Sequence, residues 1–278
     1  MKKQILRRLN KQGFTLVELL VAMGISGVVM AGIYTVYSSQ QKSYVTQEQV
    51  VAMQQNLRAA IYSMEREIRM AGYDPTHSGN FGITDIGLKD IDDNLDVNGN
   101  SSLEFTIDRD QNGALGGGDE TVYYCIYDSP VGAPDGKMDL AQRYGGGGRQ
   151  LLAENIEALG FAYAFDNNGD GQLDTTVAGN TIWAVDSDND DDLDVNLDTN
   201  DDGVIDINDN PAGAALASDV NCSRIRAIRI WVLARTDIED RSFRNARTYV
   251  IANQRITPND GFRRRLLTTT VKCRNMGL

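Results

Sequence analysis

The sequence predicts an α+β protein: one long N-terminal α-helix packed on an antiparallel β-sheet, with aspartate-rich loop insertions. Three observations predict it. No proline interrupts residues 14–70. An apolar run at the start of that stretch gives way to a helical stripe. Beyond residue 100, short β-branched and aromatic runs alternate with turn residues.

The first element is a leader. Residues 1–13 hold Lys2, Lys3, Arg7, Arg8 and Lys11 and no acid. The whole chain is nevertheless at −12, so everything after the leader carries −17. An acidic body argues against nucleic-acid binding through phosphate neutralisation and for a solvated or cation-binding surface. Three cysteines do not make a disulfide scaffold. A single histidine, His77, reads as a surface-loop residue and leaves little room for histidine-based chemistry.

From Phe14 to Tyr37 the only charge is Glu18. That run exceeds the roughly 20 residues a helix needs to span a bilayer. The basic leader stays cytoplasmic, which sends the C-terminal part across. The run ends in no small-x-small cleavage site, so an ordinary secretory signal peptide fits poorly. A carboxylate at a membrane centre costs about 2.5–3.5 kcal/mol, so Glu18 is read as a functional residue.

Past Tyr37 the helix turns amphipathic. Val50, Met53, Leu57, Ile61, Met64 and Ile68 recur at helical spacing and predict a core-facing stripe. Gly72 and Pro75 stop it. The predicted organisation is a leader over 1–13, a membrane-spanning segment over 14–37 and the amphipathic half of the same helix over 38–72. A globular β-rich region follows over 73–278, with an acidic insertion over 166–221.

In the globular region, 102–108 and 121–127 read as strands, and 128–150 as loop. Residues 151–159 read as a short helix or the start of a strand, and 160–165 as a strand. Residues 223–235 form the strongest strand, apolar on both faces near its end and so central to the sheet. Residues 247–252 and 264–272 follow as strands. If 223–235 and 264–272 run antiparallel side by side, Cys222 and Cys273 meet at one end and can form a disulfide, leaving Cys125 as a buried thiol.

The aspartate-rich loops follow the calcium pattern. A twelve-residue calcium loop takes oxygens from positions 1, 3, 5, 7, 9 and 12, with glycine at 6. Counted from Asp198, these are Asp198, Asn200, Asp202, the Val204 carbonyl, Asp206 and Asp209, with Gly203 sixth. Asp166, Asn168, Asp170, Gln172 and Asp174 repeat the first nine positions, with Val177 at the twelfth. Weaker copies begin at Asp186, with Asp188, Asp190, Asp192 and Asp194, and at Asp108, with Asp110, Asn112, Gly113 and Asp119. Oxygen donors without histidine or cysteine point to calcium. A solvated acidic loop is the alternative.

Gly13-Phe14-Thr15-Leu16-Val17-Glu18 followed by an apolar run resembles the N-terminus of type IV prepilins and pseudopilins. ENIEALGFAYAFD, SRIRAIRIWVLART and DGFRRRLLTTTVKCRN resemble the C-terminal part of minor pilins of the PilW type. The resemblance covers both ends and skips the middle. It implies the type IV pilin fold. It also implies cleavage by prepilin peptidase between Gly13 and Phe14, and N-methylation of Phe14. Glu18 then becomes the fifth mature residue, the family's assembly glutamate. The implied role is structural, not enzymatic: a minor pilin that primes pilus assembly or sits at the tip. The implied partners are other minor pilins, the major pilin, prepilin peptidase and the inner-membrane assembly machinery. The implied location is the bacterial inner membrane, with the globular region in the periplasm, and then the pilus. A minor pseudopilin of type II secretion and a membrane-anchored calcium-dependent adhesin are the alternatives.

Overall fold

The computed structural model describes residues 13–87, 101–116, 118–128 and 137–277. The basic leader ahead of Gly13 lies outside the described residues. The chain divides into two compact units between Glu48 and Gln49. Helix α1 runs Leu16–Ile68. In the first unit its apolar side chains, among them Val17, Leu20, Met23 and Ile33, are exposed. That stretch is long and apolar enough to cross a membrane.

In the second unit the helix buries Met53, Leu57, Ala60, Ile61, Met64, Glu67 and Ile68, and Val50 packs at the edge of the same core. A buried side chain of this size contributes about 1.5–3 kcal/mol. The helix ends at Ile68, and after one further turn Gly72 takes φ +72. A Cβ there would lie 2.5 Å from the Met276 sulfur. By then the ladder has tightened to bonds from Met70 to Glu67 and from Ala71 to Ile68, and the left-handed Gly72 turns its amide to the Thr106 carbonyl.

The first sheet is an antiparallel meander of five strands: β1 (Ile83–Asp85), β2 (Leu103–Thr106), β3 (Thr121–Asp128), β4 (Met138–Tyr144) and β5 (Gln150–Ala153). The second sheet uses β6 (Ile156–Phe165), β7 (Ala184–Val185), β8 (Asp192–Asn196), β9 (Ala214–Asn221), β10 (Ile225–Arg235) and β13 (Arg264–Lys272). Its order is β13-β10-β6-β7-β8-β9. A separate hairpin joins β11 (Tyr249–Ile251) to β12 (Gln254–Ile256).

Strand β10 lies between β6 and β13, with Ile230 opposite both Phe161 and Thr269. Ile228, Ile230, Val232 and Ala234 face the main core, which they share with α1 and the first sheet. Ala227, Trp231 and Leu233 face a second core that includes Tyr249, Ile251 and Ala252 from the hairpin. Burial on both faces explains why this strand lacks polar alternation. Gly160 of β6 admits the hairpin: a Cβ there would sit 2.7 Å from Ile251 Cγ2.

Residues 151–159 follow the strand alternative, running from β5 through Glu154 and Asn155 into β6. Three expectations change. Residues 138–144, read as loop, form β4. The acidic insertion is structural, because β7, β8 and β9 extend the second sheet by three strands. Cys125, Cys222 and Cys273 are all free thiols, so the Cys222–Cys273 disulfide is not formed. Cys222 lies in a 3₁₀ turn (Cys222–Arg224), and its thiol contacts the Asp191 carbonyl at 2.9 Å.

Glu67 is charged yet buried. Its Oε1 accepts from the Tyr144 hydroxyl at 2.6 Å, and its Oε2 accepts from Gln142 Nε2 at 2.5 Å and the Tyr124 hydroxyl at 3.2 Å. Arg109 Nη2 lies 3.7 Å from Oε1. A buried carboxylate persists where donors surround it, and here they come from β3, β4 and the loop after β2.

Candidate functional site

Two regions carry the residues the sequence singles out. The first is the start of α1. Thr15 precedes the helix, and its Oγ1 accepts from the Glu18 amide at 3.2 Å. Glu18 Oε2 accepts in return from the Thr15 amide and hydroxyl, both at 2.9 Å. This reciprocal box satisfies amides that have no partner in the first helical turn. Both bonds fall on Oε2, so Glu18 Oε1 has no hydrogen-bond partner among the described residues. Phe14 is 90% exposed. Gly13 has no atom within 4 Å of where a Cβ would stand. The backbone at Gly13 and Phe14 is therefore accessible, one residue ahead of the Thr15–Glu18 box.

The second region is the set of aspartate loops. In the loop at Asp198, Oδ2 accepts from the Gly203 amide at 2.8 Å and Oδ1 from the Asp202 amide at 3.2 Å. In the loop at Asp166, Oδ2 accepts from Gly171 at 2.9 Å and Oδ1 from Gly169 at 2.6 Å. The loop at Asp186 repeats the bond with Asp191 at 2.9 Å, and the loop at Asp108 with Gly113 at 3.1 Å. A fifth loop does the same: Asp74 Oδ2 accepts from Gly79 at 2.8 Å.

The backbone explains the likeness. The fourth residue is left-handed in every loop: His77 (φ 55), Gln111 (φ 63), Gly169 (φ 74), Asn189 (φ 66) and Asp201 (φ 57). So is the sixth: Gly79 (φ 78), Gly113 (φ 74), Gly171 (φ 81), Asp191 (φ 70) and Gly203 (φ 85). Alternating right- and left-handed residues aim successive amides at one point and make a nest for an anion. The first aspartate supplies that anion. An apolar residue follows at the eighth position each time: Phe81, Leu115, Leu173, Leu193 and Ile205. Leu193 is buried in the main core and Ile205 in the second, which ties those loops to the body.

The remaining predicted donors divide between these turns and the loop closures. Asn200 Oδ1 accepts from Asp202, and Asp202 Oδ1 accepts from Val204. Asp206 turns to Asn208. Asp209 closes the loop, its Oδ1 accepting from Thr199 at 2.7 Å and its Oδ2 from Asp206 at 2.9 Å. In the loop at Asp166, Asn168 accepts from Asp170, Asp170 from Gln172, and Asp174 from Asn167. Arg255 Nη2 donates to the Asp206 carbonyl at 3.0 Å and holds the Asp198 loop against the hairpin.

Carboxylate convergence is tightest elsewhere. Oxygens of Asp108, Asp110 and Glu120 lie within 4.8 Å of one another, as do those of Asp186, Asp188 and Asp190. Among the described residues, the Asp198 loop does not gather three carboxylates that closely. Desolvation, with repulsion from neighbouring acids, raises the pKa of the buried Asp186 and of the exposed Asp188 and Asp110. At Asp166 and Asp209 burial pulls the same way, but backbone amides outweigh it and lower the pKa. Hydrogen bonds from Gly79, Thr76 and Ser78 likewise overcome desolvation at Asp74 and bring it down to about 2. These clusters can bind a metal ion. Every side-chain donor in them is a hard oxygen, the set that suits calcium.

Two features escape the sequence reading. Glu120, beyond the twelve-residue frame, supplies the third carboxylate of the Asp108 cluster. The Asp74 loop uses Thr76 and Ser78 where other loops use Asn or Asp, and its Pro75 reads only as a helix stop. The signal that finds it is glycine at the sixth position with an apolar residue at the eighth.

Residues 123–275 match the model of the family described as type IV pilus-assembly protein W. Residues 8–34 match the prokaryotic N-terminal methylation motif. Among solved structures, the chain is similar to the type IV-like pilin TTHA1219 from Thermus thermophilus. The identity is 14% and the TM-score 0.41, covering 81% of this chain and 97% of that one. No curated protein matches the chain.

Proposed function

Since the chain belongs to the type IV pilus-assembly protein W family and carries the N-terminal methylation motif, we propose that it is a minor pilin that primes pilus assembly or stands at the tip. Prepilin peptidase cuts between Gly13 and Phe14, and Phe14 is N-methylated. The observation that carries this reading is the Thr15–Glu18 box set beside an exposed Phe14 inside the methylation motif.

Cleavage turns the Phe14 nitrogen into an ammonium at the N-terminus of an apolar helix. A carboxylate lowers the cost of that charge in a region of low polarity. At about 4 Å and an effective dielectric constant near 20, the attraction is about 4 kcal/mol. Glu18 Oε1 of a neighbouring subunit supplies that carboxylate, while Oε2 stays on Thr15 and fixes the side chain. Pairing at one helix position sets the axial register between subunits as they leave the membrane. A pilus-assembly family favours the pilus over a type II secretion pseudopilus.

Calcium stabilises the loops. Asp198, Asn200, Asp202, the Val204 carbonyl, Asp206 and Asp209 hold one ion, and Asp166, Asn168, Asp170, Gln172 and Asp174 hold another. The cation supplies positive charge where the chain places fifteen aspartates and no basic residue, between 166 and 221. Three measurements test the reading. Mass spectrometry of the protein from cells is expected to find N-methylphenylalanine at residue 14, and the sheared pilus fraction is expected to contain the chain. An intact leader, or absence from that fraction, contradicts the assembly role. Calcium titration that gives neither heat nor a change in melting temperature contradicts the cation sites.

A further inference from the structure

The charge of the chain is segregated. Residues 166–221 carry fifteen aspartates and no basic residue, whereas 222–278 carry thirteen arginines and lysines against four acids. Part of this basic excess serves the aspartate loops, as Arg255 does at Asp206. Another part collects at the opposite side of the second sheet. Strand β13 forms one edge of that sheet, and β9 forms the other. Arg264 and Arg265 open β13, with Arg263 just before them. The segment Arg241-Ser242-Phe243-Arg244-Asn245-Ala246-Arg247 adds three more arginines.

Each nearby acid has a use already. Asp260 and Glu157 both bind Arg264. Asp240 binds Arg263 at 2.8 Å. Asp237 pairs with Lys137, and Glu239 accepts from the Gly261 amide at 3.0 Å. Arg241, Arg244, Arg247 and Arg265 are exposed and form no ion pair among the described residues. Two guanidinium groups of this face lie over aromatic rings: Arg263 at 4.3 Å from the Phe243 centroid and Arg247 at 5.5 Å from that of Tyr249. Stacking of this kind holds a guanidinium plane in place and leaves its edge free to donate. Phe243, Asn245, Tyr249 and Arg263 to Arg265 line a hollow of about 230 Å³.

We propose that this face, carried by Arg241, Arg244, Arg247, Arg263 and Arg265, docks a carboxylate-rich segment of a neighbouring protein subunit. Planar guanidinium groups take carboxylates bidentately. Four exposed, unpaired arginines in two neighbouring segments give acidic partners a local attraction on a chain of net charge −12. A basic edge strand also discourages sheet-to-sheet aggregation. That role requires charge at the edge, but not a ring-backed hollow or unpaired arginines on the 241–247 segment. Only the identity of the partner as a subunit rests on the assembly reading above; the surface chemistry is tested separately.

The test uses the full chain in detergent, with poly-L-glutamate as the probe and poly-L-lysine as the control, and fluorescence anisotropy as the readout. Binding of poly-L-glutamate is expected, weakening at least tenfold between 0.15 and 0.5 M salt. The R241E/R244E/R247E variant is expected to bind at least tenfold more weakly, with the melting temperature of the parent. R265E alone is expected to weaken binding by a smaller factor, which keeps the test open if the triple variant misfolds. Unchanged binding in both variants overturns the proposal. So does a preference of the parent for vesicles of phosphatidylcholine with phosphatidylglycerol over poly-L-glutamate, which assigns the face to lipid.

Discussion

Glu67 Oε1 accepts from the Tyr144 hydroxyl at 2.6 Å, and this bond ties the last turn of α1 to strand β4. Gln142 Nε2 bridges the same carboxylate to both Tyr124 and Tyr144. The cluster puts polar side chains at the seam between helix and first sheet. Glu67→Ala leaves these donors buried and unpaired, and is expected to cost about 2–3 kcal/mol. Tyr144→Phe removes one bond and is expected to cost about 1 kcal/mol. Urea denaturation of the full chain in detergent checks both, and equal stability of the parent and Glu67→Ala contradicts the role given to Glu67.

Asp202→Asn separates the calcium claim from loop folding. Asparagine keeps the oxygen that accepts from the Val204 amide at 2.9 Å. With chelator present, the variant and parent are expected to melt together. With calcium at a hundred times its dissociation constant, the parent is expected to gain about 2.7 kcal/mol and the variant much less. An identical calcium response in the two proteins removes Asp202 from the ligand set.

Gly203→Ala tests the backbone requirement. Gly203 has φ +85, and a Cβ there would lie 2.9 Å from Asn180 Oδ1. The substitution is expected to cost about 1–2 kcal/mol from left-handed strain and to weaken calcium binding. Scanning calorimetry with and without calcium measures both effects.

The loops are expected to respond to acid in opposite directions. Desolvation and acidic neighbours raise the pKa of Asp186 and Asp188, so they favour folding below about pH 4 and lose that contribution as pH rises through their folded values. Asp74, drawn down to about 2, stabilises above about pH 4 and loses its contribution as pH falls toward 2. Carboxyl-carbon NMR titration in chelator is expected to place Asp186 and Asp188 above the ordinary range and Asp74 below it. Calcium is expected to abolish the upward displacement at the Asp186 loop. Persistence of that displacement in saturating calcium rules the ion out there.

The helix and the central strands were legible because local pattern determines them. The spacing of Met53, Leu57, Ile61 and Met64 marks a helical face, and the Ile230–Leu233 run marks a strand buried on both sides. Strand β4 was not legible. Its inward Gln142 is polar because it meets Glu67, 75 residues earlier in the chain. Strand β9, largely small and exposed, carries little apolar signal of its own and gains its place by pairing with β8. Glycine and aspartate spacing revealed four of the loops. The fifth stayed hidden because Thr76 and Ser78 offer hydroxyls where the pattern asks for carboxylates or amides. The Cys222–Cys273 pairing followed from strand adjacency, which is present, but the 3₁₀ turn directs Cys222 to Asp191 instead.

The central claim is that Glu18 serves assembly and not processing. Its most direct test is Glu18→Ala in the native host, with the cell-envelope and sheared pilus fractions compared. The variant is expected to carry N-methylphenylalanine at residue 14, as the parent does, and to be depleted at least tenfold from the pilus fraction. Incorporation equal to the parent contradicts the account.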